Sequence, residues 1–461
     1  MKSIYFFMTF FIAITAFAQN NGAITNENLE NFEKSVSGES NQKAIMNALA
    51  NHRIKDLAVD RETYIKQDEL FTKKLDVKGI SNQKSTGRCW LFAGLNIFRP
   101  RMIEKYELEN FEFSQSYLSF YDKLEKSNLF INQIIKWKDK DPESREVDWL
   151  LNHAVGDGGQ WNMVIDLIEK YGLVPQYAMP ETYTSSHTGD LSYLMRKKMY
   201  QTASKIFNAY NTGDATAEDY EKIRLNALED IYKLLAMTFG KPPKSFIWKY
   251  KNTDGDVKID KEYTPKEFAQ KIVKVDLEKY VYILSDPLEE YYQTYRVQFD
   301  RNMFDKENMF VLNLPVSDLK NLATDQIMDD TPVWFGCDVG KEFDSNGFMI
   351  RGIKDYESLF GINFDLTRKE QVLYNESIPT HAMVFIGVDI KNDKPQKWLV
   401  ENSWGKDRGR DGYWTLGNDW FDKYMYGAII EKKHLSAKML KALETEPIIL
   451  PPWDAMWKGM K

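Results

Sequence analysis

The spacing of apolar positions along the chain changes twice, and each change marks a boundary. From Trp90 the run WLFAGLNIF is nearly continuous in apolar residues, which predicts a helix of about three turns, buried on most sides and stopped at Arg99-Pro100. Residues 113–137 and 162–171 carry aromatic and aliphatic side chains at helical spacing, so the part from 19 to 184 reads as a helical lobe. Between 185 and 330 Lys, Glu, Asp and Tyr become more frequent. Thr216 and Asp219 form a capping-box pattern there, Tyr220, Ile223, Ala227, Ile231 and Leu234 follow in steps of three or four, and Gly240 with Pro242-Pro243 ends the helix. A second start lies at Thr264-Pro265, and Phe246 to Lys251 and Val257 to Ile259 flank Asp254-Gly255 as a β-hairpin. This middle segment predicts a mainly helical insertion. After Thr331 the pattern shortens to VWFGCDV, GFMIRGI, HAMVFIGVDI, KWLVENSWG, GYWTLG and GAIIEKK, so 331–444 reads as a β-rich lobe and 445–461 as a proline-rich tail.

The chain opens differently. Lys2 precedes an apolar run from Ile4 to Phe17 that closes on Ala16-Phe17-Ala18, the pattern of a secretory signal peptide over 1–18. The run is shorter than the ~20 residues of a membrane span, and no cysteine follows it, so the expected product is exported, periplasmic or secreted, without a transmembrane or lipid anchor. The 461 residues hold 61 basic and 68 acidic side chains, a net charge of -7, which offers no footprint for nucleic acid. Two cysteines, Cys89 and Cys337, exclude a disulfide framework and a cysteine-rich zinc site, so any thiol chemistry rests on individual thiols.

Cys89 stands at the first turn of the apolar helix, where unpaired N–H groups and the positive dipole end favour a thiolate. A thiol nucleophile also needs a base and a group that orients the base. His381 heads the apolar run of Thr380-His381-Ala382-Met383, and Asn402 lies in Glu401-Asn402-Ser403-Trp404-Gly405. An asparagine oxygen accepts the imidazole N–H without adding a competing charge. Gln83 supplies an amide donor that, with the Cys89 backbone N–H, suits an oxyanion hole. Cys337, in a β-type run, reads as core packing, with a Cys89–Cys337 disulfide as the alternative that would silence the thiol.

These residues, in the order Gln83, Cys89-Trp90, His381, Asn402-Ser403-Trp404-Gly405, resemble the papain-like cysteine peptidases. The finer resemblance is to the bleomycin hydrolase and aminopeptidase C family, carried by NQKSTGRCWLF, FSQSYLSFYDKLEK, DGGQWNM, PVWFGCDVGKEF, THAMVFIGVD and ENSWGKDRGRDGYW. It implies an α+β, two-lobed fold with a helical L lobe, a β-rich R lobe and a large insertion. It further implies a cofactor-free, metal-free aminopeptidase acting on peptides with a free N-terminus, assembled as a homohexamer. By the same resemblance Trp90 and Trp404 support the site, Trp404 shielding the His–Asn pair. Gly158 and Gly159 admit substrate backbone to the cleft, although Asp157-Gly158-Gly159-Gln160-Trp161 also reads as a plain turn before a helix. The tail segment LPPWDAM implies that the terminal carboxylate, here on Lys461, meets the substrate ammonium, while the WKGMK ending departs from the small-residue ending of the family. An endopeptidase or dipeptidyl-type exopeptidase, an amidase acting on bleomycin-like amides, and a catalytically silent binding protein remain the alternative readings.

Overall fold

A computed structural model describes residues 22–36 and 41–457; the predicted signal segment 1–18 and Lys461 lie outside the described residues. The chain divides into two compact units at Ala58/Val59. The first holds the helices Asn26–Ser35, Gln42–Asn51 and Ile54–Leu57, and Thr25 caps the first of them through a reciprocal bond with Asn28.

The second unit carries everything else. Its helical part contains α1 (Cys89–Asn96), α2 (Arg99–Tyr106), α3 (Gln115–Lys136) and α4 (Trp161–Tyr171). Ser114 caps α3 by accepting from the Tyr117 N–H at 3.1 Å. Pro100 does not simply stop the apolar helix, as its position suggested. The helix already ends at Asn96, and Pro100 sits in the first turn of α2, where the N–H it lacks has no intrahelical partner to lose. Next come α5 (Gly189–Thr212) and α6 (Ala217–Thr238), the latter capped by Thr216 and Asp219, and the hairpin β1 (Phe246–Lys251) with β2 (Val257–Tyr263).

The insertion ends earlier than 330. Three strands before that point, β3 (Tyr280–Leu284), β4 (Gln293–Val297) and β5 (Phe310–Asn313), join the large sheet, and the helix Val316–Met328 packs on it. The expected boundary was displaced because charged loops such as SDPLEEYY and DRNMFDKEN dilute the composition around these short strands. YVYIL itself is apolar throughout, the mark of a strand buried on both faces.

The remaining strands are β6 (Val333–Cys337), β7 (His381–Lys391), β8 (Lys394–Glu401), β9 (Tyr413–Gly417), β10 (Met425–Glu431) and β11 (Ile448–Leu450). Their spatial order is β11-β4-β5-β3-β10-β6-β7-β8-β9, extended by short strands at 343–344 and 348–349. Alternation sorts the two faces. Val333, Phe335, Cys337, Met383 and Phe385 bury against Leu319, Leu322, Trp420 and Phe421 on one side. Trp334, Ala382, Val384 and Ile386 belong to the core that also holds Leu91 and Leu95 of α1. The nucleophile helix therefore lies directly on the strand that begins with His381. Among the described residues no helix is long and apolar enough to cross a membrane.

Candidate active site

Cys89 opens α1 after Arg88, whose fully buried guanidinium makes two parallel hydrogen bonds to Glu181, each 3.0 Å. That bidentate pair fixes the residue before the nucleophile from a segment almost a hundred positions away. Trp90 follows, its indole N–H donating to the Asp157 carbonyl at 2.7 Å and its own carbonyl accepting from Trp334 at 3.1 Å.

The structure brings Cys89, His381 and Asn402 into one line. His381 Nε2 lies 2.9 Å from Asn402 Oδ1, which also accepts the Ser403 backbone N–H at 2.7 Å. An oxygen already facing one donor takes a second, so the proton sits on Nε2 and the other ring nitrogen is left for Cys89, with which His381 shares a hydrogen bond. Burial pushes the Cys89 thiol up. The charge of His381, the hydrogen bond to its ring and the backbone N–H groups of Ala382 and Trp90 outweigh that and hold it below the ordinary thiol range. Burial in turn pulls His381 down, and the Cys89 charge, the Cys89 hydrogen bond and the Asn402 hydrogen bond raise it above the ordinary imidazole value. Both displacements favour a thiolate–imidazolium pair.

Trp404 lies against the imidazole, ring centroids 4.9 Å apart, and is itself bracketed by Phe343 and Trp414 at 5.9 Å each. The Gln83 side chain is held at both ends: Oε1 accepts from Ser403 Oγ at 2.6 Å and Nε2 donates to the Thr86 carbonyl at 2.6 Å. One of its two amide N–H bonds remains for a substrate oxygen. The backbone ties the same loops together, Gln83 N–H to the Ser403 carbonyl at 2.8 Å and Gly405 N–H to the Ser81 carbonyl at 3.1 Å. Gly405 has φ +78°, and a Cβ there would fall 2.3 Å from the Asn82 amide nitrogen.

Other expected residues fall differently. A Cβ on Gly159 would lie 2.6 Å from the Trp90 indole, so contact with Trp90 already accounts for that glycine without a ligand, and the carbonyl of Gly158 accepts from Lys126 at 2.6 Å. Cys337 is fully buried in the core opposite α1, with both thiols free, and burial raises it well above the usual thiol range. Its backbone is the direct partner of His381 across β6 and β7.

Three groups beside the site carry more weight than the sequence suggested. Asp157 pairs with the buried Lys123, accepts from Thr188 Oγ1, and accepts the Gly87 N–H at 3.1 Å. Burial raises its carboxyl, but Lys123 and these donors hold it well below the usual carboxylate range. Glu401, the residue before Asn402, takes Arg99 at 2.6 Å and Asn96 at 2.8 Å, both from the helical part and all buried. Asp338 accepts from Ser377 at 3.0 Å and from Thr380, the residue before His381, at 3.1 Å. Only Asp157, inside DGGQW, left a local signal; the others act between segments far apart in the chain and leave none.

Comparison with known proteins identifies the family of the chain. The model of the Peptidase C1-like family matches residues 23–457. The chain is 37% identical to Aminopeptidase C of Listeria monocytogenes serovar 1/2a over 94% of its own length and 98% of that protein. It is 36% identical to human Bleomycin hydrolase over 89% and 93%. The crystal structure of PepW from Lactobacillus rhamnosis HN001 superposes with a TM-score of 0.92 at 36% identity, covering 95% of this chain and 99% of that one. With a thiol, an imidazole and an amide aligned at the junction of a helix and a strand, the chain belongs to the Peptidase C1-like family, as a cysteine peptidase of the aminopeptidase C and bleomycin hydrolase type.

Proposed function

We propose that Cys89, His381, Asn402 and Gln83 carry out removal of N-terminal residues from peptides, and the observation that carries the reading is the Cys89–His381–Asn402 line. The Cys89 thiolate attacks the carbonyl carbon of the first peptide bond and forms a C–S bond, while the carbonyl electron pair moves to oxygen. The Cys89 backbone N–H and the remaining Gln83 N–H receive that oxyanion. The imidazolium gives its proton to the departing amine as the C–N bond breaks, leaving a thioester and a neutral His381. His381 then takes a proton from water, whose oxygen attacks the thioester, and collapse expels the thiolate and the free amino acid. Asn402 keeps Nε2–H engaged through both steps, and Trp404 covers the pair from solvent. No step calls for a metal or organic cofactor.

Substrate choice follows from the tail. The segment runs as β11 beside β4, lays Trp453 under Arg145 at 4.5 Å, and buries Met456 and Trp457. A chain led this way toward the helical part supports a terminal carboxylate, on Lys461, that pairs with the substrate ammonium and limits the cut to one residue. Export through the segment 1–18 and assembly into a homohexamer belong to the same proposal.

Cys89→Ala should remove hydrolysis of aminoacyl coumarylamides while thermal unfolding stays cooperative; retained turnover would sink the mechanism. Comparing free with N-acetylated peptides tests the selection of amines, since fast cleavage of acetylated peptides points to an endopeptidase using the same site.

A further inference from the structure

Beside Trp404 lies a cavity of about 460 Å³ whose lining includes Lys84, Ser85, Phe343, Trp404, Arg408 and Trp414. Two features set it apart from a generic depression. Trp404 forms part of its wall and lies against His381, and Lys84 and Ser85 belong to the loop that leads into Cys89, so the cavity adjoins the reacting groups through Trp404 and this loop. Its cations are also uncommitted: among the described residues neither the Lys84 ammonium nor the Arg408 guanidinium has an ion-pair or hydrogen-bond partner. Among the acids of the adjoining turns, Asp344 faces Lys354 at 3.8 Å and Glu69 is paired with Arg410, while Asp407 and Asp411 do not line the cavity.

The sheet gives the cavity a direction. Beyond β6 and β10, on one side of β7, lies the edge where the tail strand β11 pairs; β8, β9, Trp404 and Trp414 lie on the other side. If the tail stops the substrate's N-terminus, as the proposed function holds, the departing part of the peptide leaves across Trp404.

We propose that Lys84 and Arg408, the two cations of this cavity on the departing side of the substrate, select a negative charge one or two residues beyond the scissile bond. The anions a short peptide can present there are its C-terminal carboxylate and an acidic side chain. An extended chain advances ~3.3 Å per residue, so the carboxylate of a di- or tripeptide lies one or two such steps beyond the scissile bond. The rings of Trp404, Trp414 and Phe343 offer an apolar wall to the side chains between. The enzyme is thereby biased toward di- and tripeptides with free ends over the N-termini of long chains.

The test compares kcat/KM at low ionic strength for Ala-Ala-Ala, Ala-Ala-Ala-amide and Ala-Ala-Asp-amide. The free acid should exceed the amide by about fivefold, the gain expected of exposed charge pairing, and the advantage should shrink as salt rises. The Asp amide measures how far an acidic side chain substitutes for the terminal carboxylate. Replacing both cations (Lys84→Gln with Arg408→Gln) should bring the acid-to-amide ratio close to one, and Arg408→Glu alone should lower it, so the result does not depend on a single variant folding. An acid-to-amide ratio of one in the wild type, or the wild-type ratio in both variants, overturns the subsite. Aminoacyl coumarylamides carry no carboxylate and report the aminopeptidase reading separately. Should the enzyme cleave only N-acetylated peptides, that reading fails, and the same acid-to-amide ratio measured on acetylated peptides still decides the subsite.

Discussion

At the scale of single residues the site is an exercise in opposed shifts. Burial works against charge on both partners, raising a thiol and lowering an imidazole, yet the mutual attraction of Cys89 and His381 reverses both. The ion pair exists between the two displaced values. The acid limb of kcat/KM should therefore lie below the ordinary thiol pKa and report Cys89, and the alkaline limb should lie above the ordinary imidazole pKa and report His381. Asn402 contributes to the second limb by accepting from the charged ring. Asn402→Ala should then move the alkaline limb to lower pH, leave the acid limb nearly in place, and cut kcat/KM by at least about tenfold as the ring loses its orientation. A loss of rate with no change in either limb would assign Asn402 a packing role only. These residues were legible in the sequence because each type is chemically unusual in its setting: a cysteine at a helix start, a histidine heading an apolar strand, an asparagine before Ser-Trp-Gly. Asp157 was not singled out, since in DGGQW an aspartate before two glycines reads equally well as turn chemistry. Its function depends on Lys123, Thr188 and Gly87, which only the fold brings to it.

At the scale of elements, what matters is how a helix from one lobe stays in register with a strand from the other. Glu401 ends β8, Arg99 begins α2, and their carboxylate and guanidinium meet in the interior with Asn96 as a third partner. Arg99 also donates to the Val77 carbonyl at 2.9 Å. Removing one partner leaves a buried charge uncompensated, so Glu401→Leu should cost about 3–5 kcal/mol in urea unfolding, whereas combining it with Arg99→Met should cost much less than twice that. A double-variant loss equal to the sum of the two single losses would mean that the pair adds nothing beyond packing. The network leads to the residue next to Asn402, so Glu401→Leu should also slow peptide hydrolysis at temperatures where the variant remains folded. Periodicity alone located α3, α6 and the hairpin, because caps and spacing are local. It misplaced the end of the insertion, because β3, β4 and β5 are short and the pairings that join them to the sheet, β3 with β10 and β4 with β11, reach strands far along the chain.

At the scale of the whole molecule, the tail joins parts that local sequence keeps separate. Thr445 and Glu446 meet Thr294 and Gln293, β11 covers the edge of β4, and the chain then carries Trp453 to Arg145 and buries Trp457. Two effects of cutting it can be separated by where the cut falls. Ending the chain after Trp457 retains the strand pairing and the buried tryptophan, so stability should hold, while the terminal carboxylate moves four residues back. If that carboxylate selects amines, free-amine peptides should lose kcat/KM by about tenfold or more, the scale of a lost charge-assisted contact, and the ratio of acetylated to free-amine cleavage should rise. Ending the chain after Glu444 removes β11 as well, uncovers a sheet edge and empties the place of Trp457, so this second truncation should also unfold more readily and associate through the bared edge. Amine preference that survives the shorter cut unchanged would remove the tail from substrate selection and leave it a purely structural strap. The two truncations assayed side by side, one for specificity and one for stability, assign the tail's roles independently of each other.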